Sequence, residues 1–361
     1  MFNPRQTVVR KVSLEHPEAE PIRAAAEVLR RGGLVAFPTE TVYGLGANAL
    51  DATAVAGIFA AKGRPANNPI IVHVPDVDTA RTLVSDWPEK AEQLAAKFWP
   101  GSLSLVLPKR ADIPDIVTAG GPTVGIRVPN HPVALALLKS AQLPIAAPSA
   151  NRSNQVSPTT AEHVLSGLAG RIDLLLDAGA TLGGLESTVL DLTTDPPRLL
   201  RPGLVTVDQL QAVIGTIEVA EHRSQIDRVR AGKDQNVPTA ETLRSPGMLA
   251  RHYAPRAKLI CIRADDDPDF AAIGSGRESI GWLRLGGERQ SADKVLPWLS
   301  VNVQSKVIEM PAEAAQYSAR LYAALHELDQ AGVALIVVDL PPNGEEWRAV
   351  HDRLRRASQA E

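Results

Sequence analysis

Between residues 34 and 200, short apolar runs, most of them stopped by Pro or Gly, alternate with polar loops and helix-period segments. No other feature of the chain limits its fold as tightly. Residues 34–37 run into Pro38, and 70–74 lie between Pro69 and Pro75. Residues 103–107, 123–128, 144–147, 172–176, 187–192 and 199–200 have the same character, and all read as strands. Residues 21–31 read as a helix: Pro21 opens it, Ile22, Ala25, Ala26 and Leu29 share one face, and Gly32-Gly33 stop it. Asp51 can cap a second helix, with Val55, Ile58 and Phe59 inward and Gly63 at its end. Residues 131–141 and 159–168 are helical too. Interleaved strands and helices indicate the α/β class. Several links between successive strands are too short for a crossover helix, so the sheet is expected to be twisted and mixed, with flanking helices.

The pattern fades between 217 and 255, where 222–238 is charged and aperiodic and reads as a linker. Beyond it, 258–263, 279–283, 306–309 and 333–340 read as strands, and 269–273, 311–330 and 344–356 as helices. The long helix turns Tyr317, Leu321, Leu325 and Leu328 inward. This is the pattern of a smaller, Rossmann-like parallel α/β domain, but no G-x-G-x-x-G follows its first strand. The expected organisation is a domain over 1–215, a linker over 216–256 and a second domain over 257–361.

Composition acts by exclusion. A single cysteine, Cys261, rules out a disulfide framework and a Cys-rich zinc site, and fits a reducing cytoplasm. Residues 1–11 hold no apolar run suited to a signal peptide, and no stretch is long enough for a membrane-spanning helix. A net charge of −3, with only five Phe, five Trp and four Tyr, argues against tight nucleic-acid binding.

The polar residues at strand ends carry the chemistry. Residues 38–46, PTETVYGLG, put two hydroxyl side chains, a phenol and glycines after a buried strand; they suit a ligand loop, and equally a polar turn. The P-loop string G-x-x-x-x-G-K-[ST] is absent. Lys62 and Arg64 close an apolar helix, either as solvated partners of its dipole or as a phosphate clamp. His73 sits on the strand face opposite Ile70, Val72 and Val74. Thr123, Gly125 and Arg127 share a face opposite Val124, Ile126 and Val128, and the small Gly125 leaves room for an anionic ligand. Residues 147–151, APSAN, expose Ser149 and Asn151 after a buried strand, again as a binding loop or an Asx-type turn. Ser157, Ser187 and Arg201 add hydroxyls and charge further on. Together these residues form no metal-ligand cluster and no nucleophile–base pair. They suit a site that positions anionic substrates.

These segments in this order, namely PTETVYGLG, KGRPxxNP (62–69) with IVHV (71–74), GIRVP (125–129), APSAN, ESTVLDL (186–192) and LLRPG (199–203), resemble the L-threonylcarbamoyladenylate synthase family. Its YrdC-like catalytic domain matches about residues 15–205, and SPGMLARHYAP (245–255) with the domain after it resembles the long form. The resemblance implies a reaction: L-threonine, bicarbonate and ATP, with magnesium, give threonylcarbamoyl-AMP and pyrophosphate. A separate complex then transfers the threonylcarbamoyl group to tRNA, so only transient contact with that complex and little direct tRNA binding are expected. It also implies roles. Thr41, His73, Arg127, Ser187 and the Ala147 backbone surround threonine, with Arg127 on its carboxylate. Lys62, Arg64, Asn68, Thr123, Ser149, Asn151, Ser157 and Arg201 surround the nucleotide, and Lys62 and Arg64 are the catalytic cations; from their place at the end of an element, both are expected to be exposed and dispensable for the fold. Tyr43 shapes the pocket, and His252 and Tyr253 bind ATP and close over it as a lid against water.

One departure stands at 100–104, PGSLS, where the family often has PGPLT; it is expected to alter loop stiffness rather than chemistry. Two other classes compete. An RNA-binding module with a YrdC-like domain would show salt-dependent RNA affinity without ATP turnover. A carbamoyltransferase sharing that domain would carry Cys-rich zinc modules, which a single cysteine excludes.

Overall fold

The computed structural model describes residues 6–219, 252–263, 279–286 and 304–359. The expected linker at 222–238 and the short helix at 269–273 lie outside the described residues. In chain order the first part holds β1 (Val8–Lys11), α1 (Ala19–Arg30), β2 (Val35–Phe37), β3 (Gly44–Asn48), α2 (Ala52–Lys62), β4 (Val72–His73), α3 (Val77–Arg81) and α4 (Glu89–Phe98). It continues with β5 (Leu103–Pro108), α5 (Asp115–Thr118), β6 (Thr123–Arg127), α6 (Pro132–Ala141), β7 (Ile145–Ala146) and α7 (Ala161–Leu168). β8 (Leu174–Asp177), β9 (Thr188–Asp191), β10 (Arg198–Arg201), α8 (Val207–Ile214) and β11 (Glu218–Val219) complete it. The second part holds β12 (Lys258–Ile262), β13 (Ser279–Leu285), β14 (Gln304–Met310), α9 (Ala314–Gln330), β15 (Leu335–Asp339) and α10 (Arg348–Ala357).

Local sequence accounts for the helix ends. The Asp51 carboxylate accepts from the Thr53 and Ala54 amides at the start of α2, and Gly63 ends it in the left-handed region at φ 64°. α1 buries the four residues its period singles out, Ile22, Ala25, Ala26 and Leu29.

The larger sheet is mixed, in the order β1-β8-β2-β3-β7-β4-β6-β5-β9-β10-β11. The smaller one, β12-β15-β13-β14, is parallel throughout. On one face of the large sheet, α2, α4, α5, α7 and α8 cover a core that includes Val55, Leu94, Leu105, Ile126 and Leu190. On the other face α1 and α6 cover one end only, through Leu29 and Leu137 on Val35, Ile145 and Leu174. Alongside, Ile71, Val106 and Val189 form a small apolar floor. β3 corrects the reading of 38–46 as a loop throughout, because Gly44–Asn48 pairs antiparallel with both β2 and β7.

The second part packs against that uncovered side. Its core continues into Val42, Val156 and Leu185 of the first part. Gly184, at φ 71°, lets α9 come so close that a Cβ there would stand 2.6 Å from Ala319 Cα. The rings of His163 (α7) and His326 (α9) stack with centroids 3.8 Å apart. Burial, with His326 beside it, pushes His163 down to about 3, and burial also lowers His326. Both folded values lie below the unfolded value of about 6.5, so their contribution is whole above that pH and is lost as pH falls toward the folded values. The melting temperature is therefore expected to drop between pH 7 and 5, and His326→Gln to flatten that slope. Parallel melting curves for the two proteins would exclude the ring pair as a cause.

Candidate functional site

The pocket opens where the large sheet lacks helical cover. Its wall is drawn from Thr41, Arg64, Ile71, His73, Arg127, Ala147, Ser149, Glu186, Ser187, Arg201, His252 and Tyr253. Strand register assembles it. Parallel pairing sets His73 of β4 opposite Arg127 of β6, and β7 runs antiparallel on the other side of β4. An isolated bridge between Gly44 and Ser149 draws the APSAN segment onto the end of β3.

Arg127 is engaged on three sides. Its Nε donates to the Gly101 carbonyl and its Nη1 to Thr41 Oγ1, both at 3.0 Å, while Nη2 pairs with Glu40 Oε1 at 2.5 Å. Burial would raise the Glu40 pKa, but the Arg127 charge and its hydrogen bond outweigh it and hold the carboxyl below its ordinary value. Burial and the same cation push His73 down to about 3, so its imidazole is neutral. Ser187 shares a 2.8 Å hydrogen bond with Ser104, accepts from Arg201 Nη2 through its hydroxyl and from Nε through its carbonyl. Arg64 lines the pocket while its Nε and Nη2 donate to the carbonyls of Asn68 and Pro69. His252 reports the sign of the local potential: burial, then Arg64, Lys62, Arg201 and Arg356, push its pKa far down. Among the described residues the Tyr253 hydroxyl and His252 Nδ1 are buried in the wall without a hydrogen-bond partner.

The expected site residues fall into three groups. Thr41, Arg64, His73, Arg127, Ala147, Ser149, Ser187, Arg201, His252 and Tyr253 meet at the pocket. Lys62, Asn151 and Ser157 stand behind its surface: Lys62 Nζ donates to Ser149 O, Asn151 O and Asn151 Oδ1, and Ser157 Oγ donates to Glu186. Asn68 is fully buried, its carbonyl holding Arg64. Thr123 and Tyr43 stand apart. Thr123 shares the Arg127 face but lies about 13 Å along β6. Tyr43 points into the core and donates to the Gly179 carbonyl. The expectation that Lys62 and Arg64 are exposed is overturned, with Lys62 only 2% exposed, because α2 ends beneath the 149–151 loop.

Sequence reasoning missed Glu40 and Glu186, although both lie inside quoted motifs beside Thr41 and Ser187. It also missed what 100–104 does: Gly101 holds Arg127, Ser102 donates to Glu40 and Ser104 meets Ser187, so the segment is part of the site's scaffold and not only a stiff loop. Among the described residues no three His, Cys, Asp or Glu side chains group as a metal site, and no helix is long and apolar enough to cross a membrane.

The mixed α/β sheet thus ends in a buried pocket whose wall combines guanidinium groups, hydroxyls and a His–Tyr pair, a lining suited to small anionic ligands. Residues 27–203 match the family described as "Telomere recombination", and residues 205–359 the family "Threonylcarbamoyl-AMP synthase, C-terminal domain". The threonylcarbamoyl-AMP synthase of Pyrococcus abyssi is 41% identical, over 95% of this chain and 96% of that protein. That of Bacillus subtilis is 42% identical, over 97% and 96%. The crystal structure of Pyrococcus abyssi Sua5 complexed with L-threonine superposes with a TM-score of 0.83 at 39% identity, covering 98% of both chains. The chain belongs to the threonylcarbamoyl-AMP synthase family.

Proposed function

We propose that this protein is an L-threonylcarbamoyladenylate synthase, a nucleotidyltransferase that makes threonylcarbamoyl-AMP and pyrophosphate from L-threonine, bicarbonate and ATP. Residues 1–215 form its catalytic domain, 216–256 the linker that brings the lid, and 257–361 the C-terminal domain. The observation that carries the reading is the convergence of Arg64, Arg127 and Arg201 with the hydroxyls of Thr41, Ser149 and Ser187 in one buried pocket, in a chain of this family. Thr41, His73, Arg127, Ala147 and Ser187 take threonine. A neutral His73 can bond the substrate without competing with Arg127 for its carboxylate. Arg64 and Arg201, with Ser149, face the phosphates, and magnesium arrives with the nucleotide as its substrate complex.

The steps balance without a covalent enzyme intermediate. The uncharged threonine amine adds to the bicarbonate carbon, water leaves and a carbamate forms. A carbamate oxygen attacks the α-phosphorus, and the bond to the bridging oxygen breaks to release pyrophosphate. Negative charge grows on the α-phosphoryl oxygens and the leaving group, where fixed guanidinium groups act most strongly in a dry site. The His252–Tyr253 roof protects the mixed anhydride from hydrolysis. The product then passes to the tRNA-modifying complex of the cytoplasm.

Pyrophosphate release from MgATP, with threonine and bicarbonate omitted in turn, tests this directly. Release is expected only with both present, and serine is expected to be much poorer. Release without threonine would reveal a nucleotide hydrolase, and none from folded protein would return the reading to an RNA-binding module.

A further inference from the structure

We propose that Arg353 and Tyr322, from the C-terminal helices, are positioning residues for the pocket: they hold Glu186 and the Tyr253 ring in its wall. The proposal rests on the synthase reading above. Arg353, on α10, is 1% exposed. Its Nε donates to Glu186 Oε2 at 2.8 Å, and its guanidinium lies 5.0 Å from the centroid of the Tyr253 ring. Tyr322, on α9, donates its hydroxyl to Glu186 Oε2 at 3.0 Å and stacks on Tyr253 at 5.9 Å. Ser157 Oγ donates to the other carboxylate oxygen. One carboxylate of the catalytic part thus holds two side chains that arrive from the C-terminal part.

What these two groups hold is itself part of the wall. Glu186 precedes Ser187, whose carbonyl and hydroxyl bind Arg201, so a tilt of Glu186 shifts both. Tyr253 sits at φ 61°, a region a bulky side chain occupies only when its surroundings enforce it. Tyr322 on its ring, Arg353 against it and the His252 amide bonded to the Arg356 carbonyl supply that enforcement. A contact needed only to join two domains would be served by apolar packing, without taking a carboxylate and a guanidinium out of water. A planar cation that bonds Glu186 along one edge and presents a face to Tyr253 couples the two groups, and a lysine cannot do both.

The test is a double-mutant cycle on the full-length protein, read as kcat/KM for pyrophosphate release alongside melting curves. Arg353→Lys is expected to cut kcat/KM by about 10–100-fold in the native background, with little change in melting temperature, and by less than about threefold in a Tyr253→Ala background. Losses that simply add, or a folded Arg353→Lys protein with native turnover, would overturn the proposal. If Arg353→Lys does not fold, Tyr322→Phe removes a single hydroxyl and enters the same cycle with Glu186→Gln, where strong non-additivity supports the proposal and additivity overturns it. Wild-type protein that releases no threonine-dependent pyrophosphate defeats the synthase reading instead. The cycle is then run on MgATP affinity by calorimetry, and additive or absent effects there overturn the positioning role as well.

Discussion

Lys62→Met is expected to lose both activity and stability: turnover by about a thousandfold and folding free energy by roughly 3 kcal/mol. The Lys62 ammonium has three hydrogens and meets three acceptors, Ser149 O, Asn151 O and Asn151 Oδ1. Burial, with Arg64 and Arg152 nearby, pulls its pKa down. The three oxygens around the nitrogen favour the charged form against that pull. Methionine fills that space and leaves the Ser149 and Asn151 carbonyls without a donor, while Asn151 Oδ1 keeps the Ser149 hydroxyl. Each such loss costs about 1–3 kcal/mol, partly offset where water or a shift of the loop restores a partner. The loop that shifts carries Ser149 into the pocket wall, so the site is damaged with the fold. Thermal melts and pyrophosphate release on the same preparation check both halves. Native melting with lost turnover would mean that Lys62 acts on substrate directly, and native values of both would remove it from the site altogether.

That result would reverse the expectation drawn from the sequence, and the reason is physical. Asp51, the apolar positions of α2 and Gly63 announce a helix and its end. They do not announce that a loop 87 residues further on crosses over that end. Capping, period and strand punctuation are local, and they located α1, α2, α6 and the long α9. β3 escaped because Gly44–Asn48, with two glycines, has little intrinsic preference for a strand and is held there by pairing with β2 and β7. Much of the candidate pocket was legible for a related reason. Strands that end at Pro or Gly leave polar side chains at their ends, and Thr41, His73, Arg127 and Ser149 are such residues, while Ser187 stands just before β9. Alternation names a face but not a depth, so Thr123 and Arg127 looked equivalent on β6 although only Arg127 reaches the pocket. The Glu186–Arg353 pair spans 167 residues, and no periodicity within either segment points to the other.

Arg64→Ala is expected to lower turnover by about 10²–10³-fold, with Arg64→Lys recovering part of the loss. The guanidinium is held before substrate arrives: Nε on Asn68 O at 3.1 Å and Nη2 on Pro69 O at 2.7 Å fix one edge, and the group lines the pocket. Charge so fixed needs no rearrangement as the α-phosphoryl oxygens become more negative, so its removal should weigh on kcat more than on the threonine KM. Lysine supplies a point charge on a flexible stem. It restores attraction to the phosphates but cannot bond both carbonyls and face the pocket together. Alanine also leaves the Asn68 and Pro69 carbonyls without their donor, so the comparison belongs at a temperature where melting curves show both variants folded. A folded Arg64→Ala protein with a raised threonine KM and native kcat would place Arg64 with threonine rather than with the phosphates. Native turnover would leave Arg201 as the guanidinium facing the α-phosphate, a role its two bonds to Ser187 make rigid enough to fill.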